Sequence, residues 1–117
     1  MARLCLIVET GPYTYQNFDT AYGLAKSALD KGHSVDLFFY VDGVLSVNKK
    51  INSPGERNIA SMVEELVQKG VKISACGACA KFRGLGKDLT VPGTSLGSLV
   101  DAAEMLEESD VVLNLGF

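Results

Sequence analysis

The sequence has no tryptophan, one histidine and three prolines among its 117 residues. Its three cysteines are an odd number, so they do not form the paired framework that holds small secreted domains together. No apolar run approaches the roughly 20 residues that a membrane-spanning helix needs. The N-terminus lacks the charged region and cleavage site of a signal peptide. We therefore expect a cytoplasmic protein that does not bind membranes.

Charge of one sign does not dominate the sequence either. Eleven lysine and arginine residues are scattered among 14 aspartate and glutamate residues, which gives a net charge of -3. We therefore expect no direct nucleic-acid partner, since phosphate binding needs a clustered basic surface. The composition, 47% hydrophobic and 21% charged, is typical of a folded globule. The length indicates one domain over residues 1–117.

Short apolar runs alternate with helical patterns along the chain. Unbroken apolar runs are typical of strands buried on both faces, and apolar residues at three- and four-residue spacing are typical of helices. Strands are predicted over residues 3–9, 35–41, 71–76, 89–91 and 111–115. Helices are predicted over residues 16–31, 59–67 and 78–82, and from a cap at Thr94 or Ser95 to Leu106. Residues 42–56 are predicted to form a long, partly mobile connection.

Alternating strands and helices predict a three-layer α/β/α fold, with a doubly wound, mostly parallel sheet of four to five strands. Loops that leave the carboxyl ends of parallel strands share one edge of the sheet. Residues 10–18, 42–55 and 76–86 should therefore converge on one crevice. The residues expected to line it are Thr10, Gly11, Tyr13, Tyr40, Gly43, Gly77 and Arg83.

Cys76 stands at the predicted junction between the third strand and a short helix. Backbone N–H groups at a helix start stabilise a thiolate, and Lys81 and Arg83 add positive charge nearby. The pattern therefore predicts a nucleophile. The alternative is a small hydrophobic residue at the edge of the core, which is the role expected of Cys5 in the first apolar run.

Cys79 completes a Cys-x-x-Cys motif with Cys76, a motif that redox dithiols, zinc sites and nucleophiles with a resolving thiol all use. Zinc is disfavoured because Cys5 is expected in the core and His33 at the opposite edge of the sheet. We expect Cys79 to lie one turn further inward than Cys76, where greater burial makes it the poorer nucleophile. A phosphate-binding turn at residues 10–14 is also disfavoured, because Pro12 lacks an N–H donor. We thus expect neither a metal nor a cofactor.

Five short segments share their order and spacing with one known family. They are Thr10-Gly11-Pro12, Phe38-Phe39-Tyr40 with Gly43-Val44, Cys76 with the small-residue run to Arg83-Gly84, Ser95-Leu96-Gly97, and Asp110-Val111-Val112. In these segments the chain resembles the DsrE/DsrF-like family, in particular its DsrE- and TusD-type sulfur-relay proteins.

The resemblance implies a cytoplasmic α/β protein that forms homo- or hetero-oligomers. It implies that Cys76 receives a sulfane sulfur as a persulfide from a donor protein and passes it to an acceptor protein. Cys79 departs from the family pattern, in which a small apolar residue usually stands there. Two alternatives stay open: a dithiol redox protein that uses Cys76 and Cys79, and a non-catalytic oligomeric binding module of the same fold.

Overall fold

Five strands form one sheet in the order β4-β3-β2-β1-β5, and each neighbouring pair is parallel. The structure is a computed structural model that describes residues 1–53 and 55–116. The strands are β1 (Arg3–Val8), β2 (Ser34–Phe39), β3 (Lys72–Cys76), β4 (Ser95–Gly97) and β5 (Val111–Leu115). The predicted doubly wound α/β fold is confirmed.

Helices cover both faces of this sheet. They are α1 (Asn17–Asp30), α2 (Ile59–Gln68), α3 (Gly77–Phe82) and α4 (Leu99–Glu108). Phe18 of α1 stacks on Phe39 of β2, with ring centroids 5.9 Å apart. The neighbouring Phe38 points to the opposite face, because successive side chains of a strand alternate. There it lines a shallow groove with Leu106 of α4, so α1 and α4 lie on opposite faces.

The central strands are apolar because both of their faces are buried. Leu6, Leu37 and Ile73 stand side by side in the register of β1, β2 and β3, and all three are buried. Complete burial of one such side chain contributes about 1.5–3 kcal/mol to stability. Cys5 is fully buried in β1, as predicted, and burial raises the pKa of its thiol.

One carboxylate is also buried in the sheet. Asp36 of β2 accepts hydrogen bonds from Nε and Nη2 of Arg3, at 3.1 and 2.9 Å. A buried carboxylate without a partner would be strongly destabilising. The ion pair therefore fixes the amino-terminal end of β1 against β2, at the edge of the sheet opposite Cys76.

The predicted strand over residues 89–91 is wrong. Lys87–Leu89 form a turn of 3₁₀ helix, and Thr90 makes only an isolated antiparallel bridge with Asn48. The fourth strand is β4, which pairs with β3 through Ala75 and Leu96.

The predicted helix start at Thr94 or Ser95 is wrong for a local reason. The hydroxyl of Ser98 accepts the N–H groups of Val100 and Asp101, and the Asp101 carboxylate accepts the N–H of Ser98. This capping box starts α4 at Leu99 and leaves the preceding residues free to form β4.

The prediction of a partly mobile connection is wrong for its first part. Val41–Val47 form a 3₁₀ helix in which Val44, Ser46 and Val47 are buried. Gly43 makes this possible, because a Cβ there would lie 2.9 Å from the carbonyl carbon of Val8 and closer still to its oxygen. Pro54, within the same predicted connection, lies outside the described residues. None of the helices in the described part of the chain is long and apolar enough to cross a membrane.

Gly43→Ala should lower the free energy of unfolding by about 1–3 kcal/mol, because its methyl group must displace the backbone of β1. Gly23→Ala is the matched control, since Gly23 lies in α1 with nothing within 4 Å of an added Cβ. It should raise stability by about 0.5–1 kcal/mol through helix propensity. Urea unfolding of both variants measures the difference. Equal midpoints would contradict the close approach of Gly43 to β1.

Candidate functional site

Cys76 is the last residue of β3 and the N-cap of α3, as the sequence predicts. Its extended backbone, with ψ of 118°, ends the strand, and its Sγ accepts the N–H of Cys79 at 3.4 Å. The residue is only 4% exposed. The sulfur is therefore fixed at the carboxyl edge of the sheet, with one backbone donor directed at it.

An open pocket of about 570 Å³ lies beside Cys76. Its walls come from the end of β2, from α3 and from the junction between β4 and α4: Tyr40, Cys76, Ala78, Cys79, Phe82, Gly97, Ser98 and Leu99. Two of these side chains are apolar and project into solvent, since Phe82 is 86% exposed and Leu99 is 58% exposed. We call this space the cysteine pocket. It gives an otherwise buried sulfur access to an apolar surface.

Cys79 lies in the first turn of α3 and lines the same pocket. The predicted order of burial is wrong: Cys79 is half-buried, whereas Cys76 is buried because it ends a central strand. Burial nevertheless raises the pKa of the Cys79 thiol, and its hydrogen bond to the Cys76 sulfur raises the pKa further. The raised pKa favours the protonated thiol of Cys79 at neutral pH.

The backbone of Val41 is strained next to Cys79. Its φ is 54°, in the left-handed region that a β-branched residue rarely adopts. Such a conformation costs about 1–3 kcal/mol and persists only where the surroundings hold it. Here the carbonyl of Tyr40 accepts the N–H of Gly43 at 2.9 Å, which closes the turn. The backbone N–H of Val41, in this turn, lowers the pKa of the Cys79 thiol and opposes the effect of burial.

Arg83 joins this turn to α3. Its Nε donates to Asp42 at 2.9 Å, and its Nη2 forms an ion pair with the same carboxylate at 2.7 Å. Its Nη1 donates to the carbonyl oxygen of Cys79 at 2.9 Å. Its charge favours the thiolate of Cys79. Arg83 is thus a clamp between the 3₁₀ helix and α3.

The sequence predicts one crevice, but the structure has two separate depressions in its place. Gly11 and Tyr13 line a second one, of about 360 Å³, together with Asp42. The Tyr13 hydroxyl there donates to the carbonyl of Arg57 at 2.9 Å and accepts the N–H of Ile59 at 3.2 Å. Thr10 is buried, and its hydroxyl has no hydrogen-bond partner among the described residues.

The other two glycines predicted to line the crevice, Gly43 and Gly77, lie close to backbone atoms of neighbouring segments. Gly43 is buried against β1, and a Cβ on Gly77 would lie 3.3 Å from the carbonyl oxygen of Gly97. Of the predicted lining residues, Tyr40 alone is a wall of the cysteine pocket together with the two cysteines.

Five walls of the cysteine pocket were not predicted individually: Ala78, Phe82, Gly97, Ser98 and Leu99. Gly97 ends β4, and Ser98 and Leu99 follow it, in a segment that was predicted as the start of a helix. The spacing of Ser98 and Asp101, which is that of a capping box, is the signal that could have identified the junction.

Possible metal-ligating side chains do not cluster in the described part of the chain. Residues 1–53 and 55–116 contain no group of three or more His, Cys, Asp or Glu residues that could hold a metal ion. His33 lies before β2, where its Nδ1 accepts the N–H of Ala2 at 2.9 Å. It is far from Cys76 along the sheet, as predicted.

Comparisons with known proteins give a consistent result. The chain is 35% identical to a putative sulfurtransferase DsrE of Allochromatium vinosum, over 86% of this chain and 91% of that protein. It is 33% identical to a sulfurtransferase TusD of Serratia proteamaculans, over 88% and 93% of the two chains.

The fold is also that of a solved structure. The crystal structure of the YchN protein from Escherichia coli superposes with a TM-score of 0.90 and 23% identity, over 97% of this chain and 99% of that one. The sequence profile of the DsrE/DsrF-like family matches residues 2–115, nearly the whole chain. This protein is accordingly a member of the DsrE/DsrF-like family.

Proposed function

We propose that this chain is a sulfur-relay protein that accepts a sulfane sulfur on Cys76 from a donor protein and passes it to an acceptor protein. The observation that carries the proposal is the position of the Cys76 sulfur, held by the N–H of Cys79 and opening on an apolar pocket. Two relatives named as sulfurtransferases, one of them putatively, support the same class of function. The free thiols suit a reducing cytoplasm.

Loading is a thiol exchange at sulfur. The Cys76 thiolate attacks the outer sulfur of the donor's persulfide, the S–S bond of the donor breaks, and the donor cysteine leaves as a thiolate. A hydropersulfide then remains on Cys76. The N–H of Cys79 stabilises negative charge on the Cys76 sulfur before the attack.

The shape of the pocket suits this product. Because Cys76 itself is buried, only the added outer sulfur projects into the cysteine pocket. Phe82 and Leu99 give the pocket an exposed apolar rim beside this sulfur, on which an acceptor protein can pack. The exchange then runs in reverse onto the acceptor, and no cofactor is required.

A large apolar surface adjoins the pocket. It comprises the exposed residues of α4 and of the edge strand β5, whose side chains alternate between the two faces of the sheet: Leu99, Val100, Leu106, Val111, Val112 and Leu113. β5 is an edge strand of the sheet with neither a charged residue nor a proline to block pairing. Soluble monomers rarely expose apolar surfaces of this kind. We infer that a second copy of the chain covers it, and Leu99 puts the cysteine pocket beside that boundary.

Cys76→Ala should abolish sulfur loading. After incubation with glutathione persulfide, the wild-type protein should gain one sulfur atom by intact mass, and dithiothreitol should remove it. Cys5→Ala is the matched control, because Cys5 is buried in β1 away from the pocket, and it should load like the wild type. Equal loading of folded Cys76→Ala would contradict the proposal, as would a wild-type protein that gains no sulfur from any donor.

Light scattering after size exclusion should report an oligomer at micromolar concentration. Val112→Lys should shift it towards the monomer, because a lysine on an edge strand opposes pairing with another chain. Ser27→Lys, on the exposed surface of α1, is the control and should leave the oligomer intact. A wild-type mass equal to the 12.5 kDa monomer would refute the assembly.

A further inference from the structure

The cysteine pocket contains two thiols, and sulfur acceptance needs only one of them. We propose that Cys79 is a resolving thiol that attacks the persulfide of Cys76 and releases its outer sulfur as hydrosulfide. This inference rests on the proposed function and adds a second activity to it, the reductive release of sulfide when no acceptor takes the sulfur.

The geometry brings the two sulfurs together. Cys76 caps α3, and Cys79 lies one turn later with its N–H on the Cys76 sulfur at 3.4 Å. Both thiols line the cysteine pocket. Residues one helical turn apart have Cβ atoms about 5–6 Å apart. A disulfide needs Cβ atoms about 3.5–4.5 Å apart, so a bond between the two cysteines requires the first turn of α3 to bring them about 1–2 Å closer.

The step balances within the protein. The Cys79 thiolate attacks Sγ of Cys76, a bond forms between these two sulfurs, and the bond from Sγ to the outer sulfur breaks. The outer sulfur leaves as hydrosulfide and takes the bonding electron pair. The sulfane sulfur is thereby reduced, and the two cysteines are oxidised to a disulfide. A thiol reductant must open that disulfide before the protein can load again.

The groups around Cys79 control the rate of this step through the pKa of its thiol. Burial and the hydrogen bond to Cys76 raise its pKa, so little thiolate is present at neutral pH. The N–H of Val41 and the charge of Arg83 act in the opposite direction and keep the thiolate accessible. The other titratable group in the pocket is the phenol of Tyr40. Release is therefore slow compared with loading, which leaves time for an acceptor protein to remove the sulfur.

No other cysteine in the described part of the chain can replace Cys79 as the resolving thiol. The third cysteine, Cys5, is fully buried in β1 beside Asp36 and lines neither the cysteine pocket nor the Gly11 depression. Only Cys79 can reach the persulfide from within the same chain. The variant Cys5→Ala therefore removes a thiol without removing the step.

The test follows the fate of the loaded sulfur. Wild type, Cys79→Ala and Cys5→Ala are loaded with glutathione persulfide, freed of donor and reductant, and incubated while hydrosulfide and intact mass are measured. Wild type and Cys5→Ala should release one equivalent of hydrosulfide and end two hydrogen atoms lighter than the reduced protein. Cys79→Ala, which keeps the backbone N–H on Cys76, should hold its sulfur about tenfold longer or more.

Raising the pH gives a second readout. Release from the wild type should accelerate about tenfold per unit from about pH 7 to about pH 8, since the Cys79 thiolate fraction grows in that proportion below its raised pKa. Loss of sulfur from loaded Cys79→Ala at the wild-type rate, or a wild-type product without a Cys76–Cys79 disulfide, would overturn the inference alone. Failure of both proteins to gain sulfur would instead overturn the proposed function and the inference together.

Discussion

The parallel pairing of β2, β3 and β4 is the constraint on which the site depends. Parallel strands end at the same edge, so Tyr40 after β2, Cys76 at the end of β3 and Gly97 at the end of β4 come together without any local signal in the sequence. β2 and β3 bury apolar side chains, which stabilises their pairing, whereas β4 has no buried residue and is held beside β3 at the edge of the sheet. A change that loosens β3 from either neighbour would open the cysteine pocket before it altered Cys76.

A second layer of contacts holds the loops at that edge. Gly43 permits the 3₁₀ helix to touch the end of β1, and Arg83 ties the same helix to α3 through Asp42. The strained turn at Val41 lies between these two attachments. Its free-energy cost is thus balanced by packing on both sides, and the strain is kept where a backbone N–H faces Cys79.

Unbroken apolar runs predicted strands both in the buried centre of the sheet and at its exposed edge, β5. The unbroken apolar runs around Leu6, Leu37 and Val112 became strands, and the junction at Cys76 is where the sequence predicts it. β4 was missed because it has only three residues, none of them buried, so it has no hydrophobic signal of its own. The two separate depressions could not be predicted, because they depend on the long-range pairing of Arg83 with Asp42.

The order of burial of the two thiols also depends on tertiary packing and not on sequence spacing. Sequence spacing puts Cys79 one turn along the helix but does not say which side of the helix faces the sheet. The structure turns Ala80 inward and leaves Cys79 half-buried in the pocket wall, so that both thiols face one space.

The most direct test of a relay centred on Cys76 is to locate the sulfur atom on the chain. Cleavage after Lys72 and Lys81 yields one peptide, residues 73–81, that contains both Cys76 and Cys79. The protein is loaded with glutathione persulfide, quenched at once with an alkylating reagent, and the peptide is fragmented in a mass spectrometer. The account predicts the additional sulfur on Cys76 and an ordinary alkylated thiol at Cys79. Additional sulfur found on Cys79, with Cys76 unmodified, would contradict it.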